Sequence, residues 1–170
     1  MSMTFPGSAV RFGAPWATSL KIVTGLSFLI LVGVACIGLL TGPGNVVWLL
    51  AMVVGPLLVL AVASLFAIRG YVLADEALWI ERPLWSTQVD LSDLESAEAT
   101  PFAMRRSLRY FGNGGLFCFA GWFRNKQLGP YRAFATDPAR TVVLRFARRV
   151  IVITPEKPEE FVGALEAMTA

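Results

Sequence analysis

The sequence predicts an α-helical transmembrane hairpin followed by a mainly-β domain, a bent antiparallel barrel of about seven strands capped by a C-terminal helix. Three observations carry this. No Asp, Glu, Lys or Arg occurs over residues 22–68. The 12 acidic residues all lie after position 74, so the chain divides into an oily half and a mixed-charge half. Beyond residue 68 the apolar residues fall into short runs broken by Gly, Pro and Asp, and only the last, 158–168, has helical spacing.

The first apolar run, 22–40, spans roughly 28 Å as a helix, and the second, 46–68, roughly 35 Å. A hydrocarbon core is about 30 Å thick, so both can cross it, the second with some tilt. Thr41-Gly42-Pro43-Gly44-Asn45 joins them, long enough only for a tight antiparallel turn. Pro56 lies midway along the second run and removes a backbone donor, which predicts a kink. A cleaved signal peptide fits less well, because the oily stretch starts only at residue 22 and a second follows at once. Val34-Ala35-Cys36 suggests a lipoprotein signal, but Gly33 stands where a large aliphatic residue belongs and the run continues past the cysteine. Arg11 and Lys21 precede the first helix, Arg69 and Arg82 follow the second, and the turn carries no charge. The positive-inside rule then puts both termini in the cytoplasm.

Strand signals start directly after the second helix. Residues 71–73 and 78–80 flank Ala74-Asp75-Glu76-Ala77, a hairpin turn. Residues 87–91 alternate polar and apolar, and 94–99 form a further strand. A helical turn is expected within 101–109. Residues 111–123 mix glycines, read as turns or close approaches of backbone, with aromatics read as core. Strands follow at 131–136, 141–146 and 150–154. The closing helix presents Phe161, Val162, Leu165 and Met168 on one face. Pro158 suits its first turn, and Glu159 and Glu160 suit the positive end of its dipole.

Three segments of this half resemble a known family. They are Arg109-Tyr110-Phe111-Gly112-Asn113-Gly114-Gly115-Leu116-Phe117, Leu128-Gly129-Pro130-Tyr131 followed by Ala135-Thr136, and Ile153-Thr154-Pro155 with Pro158-Glu159-Glu160-Phe161. Over residues 70–166 or so the chain resembles the bacterial pleckstrin-homology (PH) domain proteins that carry a transmembrane hairpin ahead of the domain. The resemblance implies a PH-like fold and no agreed activity. It gives the expected division: a cytoplasmic tail 1–21, the hairpin 22–68, and a PH-like cytoplasmic domain 69–170 at a bacterial inner membrane. One departure is Lys157, where the family pattern has an Asp; lysine offers no acceptor to the free donors of a helix start.

Several chemistries are disfavoured. There is no histidine, hence no usual general base or metal ligand. Cys36 and Cys118 lie far apart and offer no zinc spacing. Gly112-x-Gly114-Gly115 lacks the third glycine of a dinucleotide loop, since Phe117 stands there, and a strand rather than a helix follows. Asp90, Asp93, Glu95 and Glu98 read as a solvated strand edge. No catalytic residue, metal site, cofactor or small-molecule substrate is expected. The net charge of +3 is too small for a general nucleic-acid binder.

The stretch 99–136 contains no acid but carries Arg105, Arg106, Arg109, Arg124, Lys126 and Arg132, interleaved with Phe111, Phe117, Phe119, Trp122, Phe123, Tyr131 and Phe134 among others. Arg105, Arg109, Arg124, Lys126 and Arg132 are the candidate contacts for anionic headgroups or a protein partner. The competing reading is a barrel core ringed by solvated cations. The expected function is a non-enzymatic, membrane-tethered interaction module whose partners are membrane lipids, another protein or a second copy. The alternative is an accessory subunit of a transporter or envelope-assembly complex, contacted through the hairpin. For that, Gly25, Ser27, Gly33, Ala35 and Gly38 could permit close helix packing.

Overall fold

The computed structural model describes residues 9–74 and 76–169. Asp75 of the first hairpin turn, residue 8 and the C-terminal residue lie outside the described residues.

Two apolar rods form the hairpin. Helix α1 (Thr18–Thr41) is about 36 Å long, and the second rod, Val46–Leu65, about 30 Å, each enough to cross a membrane. Asn45 starts the second rod by accepting the Trp48 amide at 2.9 Å, and the Trp48 indole donates back to the Gly38 carbonyl at 2.9 Å. The second rod begins as α2 (Val46–Leu49), widens into a π-helical turn at Leu50–Val54, and continues as α3 (Gly55–Leu65). The wide turn is how the helix absorbs Pro56. A proline lacks the amide for the regular ladder and its ring crowds the carbonyl four residues earlier, so the preceding turn opens and Gly55 N–H reaches back to Leu50. At Gly38 the rods touch: a Cβ there would lie 2.6 Å from that of Met52.

The second rod stops three residues short of the expected end at Ile68. The amides of Phe66 and Ala67 turn back to Ala63 and Ser64 and tighten the last turn. The connection to the next strand is therefore residues 66–69, not the two-residue link that residues 69–70 suggest.

The rest of the chain builds two sheets. The first has the order β1-β2-β3-β4, with β1 (Val10–Gly13), β2 (Gly70–Ala74), β3 (Ala77–Glu81) and β4 (Ser86–Asp90). The second has the order β5-β9-β10-β8-β7-β6. Its members are β5 (Leu94–Ala99), β6 (Leu108–Gly114), β7 (Phe119–Asn125), β8 (Gly129–Ala135), β9 (Val142–Phe146) and β10 (Val150–Ile153). The sheets do not close into one barrel. Nor is the pairing wholly antiparallel, because β10 turns back from β9 into the gap beside β8 and runs parallel to it. Residues 101–106 form turns rather than helix, with Phe102 and Arg106 at positive φ.

Within the expected N-terminal tail 1–21, residues Val10–Gly13 form an unforeseen strand, β1. It pairs antiparallel with β2 from Val10↔Leu73 to Gly13↔Gly70. Its Phe12 ring meets Phe161 edge-on at 5.1 Å. Two further bonds seat the segment: Glu156 N–H donates to the Gly13 carbonyl at 2.9 Å, and Ala17 N–H to that of Thr136 at 3.1 Å.

The main core lies between the sheets and under α4 (Pro158–Thr169). Phe161 and Leu165 are buried there and Val162 is half-buried, as the spacing predicts. Lys157 does precede the first turn. Its ammonium pairs with Glu160 at 2.8 Å, so the charge is met three residues on rather than by a side-chain cap. Inside the core, Tyr71 Oη donates to the Phe134 carbonyl at 2.6 Å and accepts the Thr154 amide at 3.2 Å. Thr154 Oγ1 in turn accepts the Thr136 amide at 2.8 Å. Burial pushes the Tyr71 hydroxyl up to about 12, which keeps it a neutral donor.

Candidate functional site

The β6–β7 hairpin is where the domain meets the rods. Asn113 folds its tip: its Oδ1 accepts the amides of Gly115 and Leu116 at 3.3 and 3.0 Å. The tip then grips α1. Thr24 Oγ1 donates to the Gly115 carbonyl at 3.3 Å and accepts the Phe117 amide at 3.1 Å, while the Phe117 ring packs edge-on to Trp16. Thr24 lies in the second turn of α1, inside the charge-free run, so the tip sits where that helix would enter a bilayer.

Two glycines let the hairpin strands close. Gly112 and Gly121 face each other at φ +108° and +150°. A Cβ on Gly121 would fall 2.1 Å from the Phe111 carbonyl oxygen, and one on Gly112 2.3 Å from that of Ala120. The glycine-rich segment is thus a strand contact and a turn, and no helix follows it to cradle a phosphate.

The opposite attachment is at the end of α3. The Phe66 carbonyl, freed by the helix ending, accepts Arg82 Nη1 at 2.6 Å and the Cys118 thiol at 3.2 Å. A guanidinium at a helix C-terminus also answers the negative end of the dipole. Arg82 is buried between rings, 5.7 Å from Phe66, 5.9 Å from Trp85 and 5.7 Å from Phe134. Burial draws its pKa below the ordinary arginine value and pushes the Cys118 thiol up to about 11. The series continues with Arg132, which lies 4.7 Å from the Phe134 ring and 5.9 Å from that of Trp122.

The five candidate cations do not share one face. Register decides this. Leu108, Arg124 and Pro130 align across β6, β7 and β8, as do Phe111, Trp122 and Arg132, and both rows point to the side that carries Phe134. Arg109 aligns with Phe123 and Tyr131 and points to the other side. A bulge at Tyr110 permits this, because the extra residue shifts the face of everything beyond it. Arg105 joins Arg109 on that second side, in the turn segment, where both line a cavity of about 470 Å³. Lys126 sits alone in the β7–β8 turn, which Asn125 closes by accepting the amides of Gln127 and Leu128.

Sequence reading overlooked the apolar members of the first side. β6 is an edge strand, yet Leu108 is 72 % and Phe111 77 % exposed, with Trp122 beside them at 49 %. Large apolar side chains exposed together on an edge mark an interaction surface. The available signal was their position in the same acid-free stretch. Of the five small residues of α1, Ala35 and Gly38 are buried and Gly38 is used within the hairpin, whereas Gly25 and Gly33 face open space.

Among the described residues no group of His, Cys, Asp and Glu could hold a metal ion. Comparison with curated proteins and with solved structures returned no match. The family of bacterial PH domains does match, over residues 69–169, which is most of the chain and nearly all of it after the rods. The chain therefore belongs to the bacterial PH domain family, with two helices long and apolar enough to cross a membrane ahead of its domain.

Proposed function

We propose that this protein is a non-enzymatic, membrane-tethered interaction module that holds its PH domain against the cytoplasmic surface of a bacterial inner membrane. One observation carries the reading. The domain is fixed to both rods, by the β6–β7 tip on Thr24 and by Arg82 and Cys118 on the Phe66 carbonyl. A domain held so cannot leave the headgroup region. The side bearing Phe111, Trp122, Arg124 and Arg132 adjoins the α3 end through the Phe66–Arg82–Phe134–Arg132 stack. Aromatic rings with arginines suit an interface, where rings rest at headgroup level and each cation near an anionic leaflet gains about 1 kcal/mol.

The test uses the full chain in nanodiscs of rising anionic-lipid content. Amide exchange over 108–112 and 122–132 slows as the anionic fraction rises, recovers with salt, and loses that dependence when Arg124, Lys126 and Arg132 are changed to Glu. Exchange indifferent to anionic lipid even at low salt overturns the headgroup reading and leaves the surface to a protein partner. The alternative of an accessory subunit bound through the hairpin retains Gly25 and Gly33 as free small positions, since Gly38 is already packed on Met52.

Topology has its own expected outcome. A single cysteine introduced at residue 140, exposed beside β9, is labelled from the cytoplasmic side only, as are added ones at residue 8 and the C-terminus. Residues 41–45 label from outside. Native Cys118 stays silent, being buried and neutral up to about 11. Labelling of the C-terminus by an impermeant reagent in intact cells would reverse the orientation.

A further inference from the structure

The side of β6–β8 that faces away from the ring stack carries a second feature, which the surface reading does not use. Here a cavity of about 470 Å³ opens between the turn segment 101–107 and the β6–β7 strands. Its size falls in the range of small-ligand sites, about 300–1,000 Å³. Phe102, Met104, Phe119 and Phe123 supply apolar walls, and Arg105 and Arg109 supply two cations.

Three aspects distinguish it from a chance hollow. The first is charge. Among the described residues neither guanidinium has a carboxylate partner: the ion pairs are Arg11–Glu81, Arg140–Asp137 and Lys157–Glu160. Asp137, the acid next in sequence to the lining residue Pro138, is engaged by Arg140 and by the Ala139 amide. Two guanidiniums without a carboxylate partner border an apolar hollow and leave one sign of charge to be matched.

The second is preorganisation. The turn segment is pinned to the sheet before anything binds. Asn125 Nδ2 donates to the Ala103 carbonyl at 2.8 Å and to Ser107 Oγ at 3.1 Å, and the Tyr131 hydroxyl donates to Ser107 Oγ at 2.7 Å. Phe102 N–H donates to the Pro138 carbonyl at 2.9 Å, and Ala103 N–H to Thr141 Oγ1 at 3.1 Å. Phe102 and Arg106 are held at φ +59° and +55°, backbone that non-glycine residues rarely adopt. On the other wall the arm of Arg109 lies across Gly114, where a side chain would collide with it: a Cβ would come 2.2 Å from Nη1.

The third is position. The lining residue Gly114 is next to Gly115, which Thr24 of α1 holds, and Pro138 is two residues from Thr136, whose carbonyl holds Ala17 at the start of α1. The cavity therefore adjoins the point where α1 would enter the bilayer.

We propose that this cavity binds an anionic lipid from the adjoining leaflet, its phosphate or carboxylate between Arg105 and Arg109 and its chain against Phe102, Met104, Phe119 and Phe123. The source of the ligand rests on the membrane-tethered reading; the charge and shape of the site do not. A lipid held here would couple domain and membrane at a single stoichiometric site, distinct from the diffuse attraction of the Trp122 side.

The experiment uses the full chain in phosphatidylcholine nanodiscs doped with lysophosphatidate, palmitate or lysophosphatidylcholine, each with a diazirine in its chain. After photolysis, mass spectrometry maps the adducts. Lysophosphatidate and palmitate label residues 102–109 and 119–123, while lysophosphatidylcholine labels the two rods only. Arg105→Gln with Arg109→Gln lowers labelling of the cavity segments at least about tenfold, from the loss of charge-assisted contacts, and leaves rod labelling unchanged as the internal control. Phe102→Glu, at an exposed position, gives the same selective loss by placing like charge at the mouth. Equal labelling by all three probes, or labelling insensitive to the variants, overturns the proposal. Full competition by inorganic phosphate also overturns it, since the site would then read a free anion without a chain. If cavity labelling fails while exchange on the Trp122 side still responds to anionic lipid, this proposal falls and the surface reading stands.

Discussion

Phe161→Ala lowers the unfolding free energy by about 3–5 kcal/mol, the cost of emptying a fully buried aromatic site. Phe161 is wholly buried, touches Phe12 edge-on at 5.1 Å, and shares the main core with Tyr71, Leu73 and Leu165. The core it shares draws residues from both sheets and from α4, so the site cannot collapse by moving one element. For a domain of this size each kcal/mol moves the midpoint by about 4–8 °C, so thermal unfolding of the purified chain, followed by near-UV circular dichroism, shows a drop of at least about 12 °C. An unaltered midpoint would mean that α4 does not cap the core. Glu159→Ala on the same helix serves as the contrast: it is exposed and worth at most about 1 kcal/mol through the dipole.

A comparably large effect comes from removing β1. A fragment of residues 66–170 keeps the whole region matched by the PH family yet loses the edge strand, the Phe12 ring and two tethering bonds, from Glu156 to Gly13 and from Ala17 to Thr136. Phe12 alone is worth about 3 kcal/mol by the same reasoning. All five residues of β2 are buried with β1 in place, so its absence bares an apolar edge ready to pair with another chain. The fragment therefore unfolds at lower denaturant and elutes as larger species in size exclusion. Joining residues 9–17 to residue 66 through about ten Gly/Ser residues restores both, because such a linker spans about 17 Å and packed helices lie about 8–10 Å apart. Equal stability of the fragment and the joined chain would show that β1 is dispensable.

The unequal legibility of these elements has a physical basis. The hairpin is legible because 22–68 carries no charge and holds two apolar stretches long enough to cross a bilayer, a signal of length and composition alone. Helix α4 is legible because Phe161, Val162 and Leu165 repeat at helical spacing, a signal contained in ten residues. Most strands of the domain are legible as short apolar runs between breakers. β1 was not. Val10-Arg11-Phe12-Gly13 is four residues long and pairs with a strand some sixty positions away across the hairpin. Nothing local encodes a partner that distant. The expected PH-like β-rich domain with its C-terminal helix is there, and what pairing alone decided is that its strands form two sheets that do not close, with β10 parallel to β8.

The candidate cations show the division most clearly. The sequence by itself determined that Arg105, Arg109, Arg124, Lys126 and Arg132 would share an acid-free, aromatic-rich stretch behind two apolar helices. It determined too that histidine and zinc chemistry had no residues to work with. Only the tertiary structure decided which cations lie on the same side. A strand alternates its side chains between two faces, so one bulge at Tyr110 sends Arg109 to the cavity and Phe111 to the side of Trp122 and Arg132. Arg82, which looked like a flanking charge that merely oriented the hairpin, becomes the buried link between the last turn of α3 and the core. Composition and spacing are properties of neighbours along the chain, whereas register, burial and the meeting of distant strands depend on the pairing energy of the whole fold, and that is where these surfaces were made.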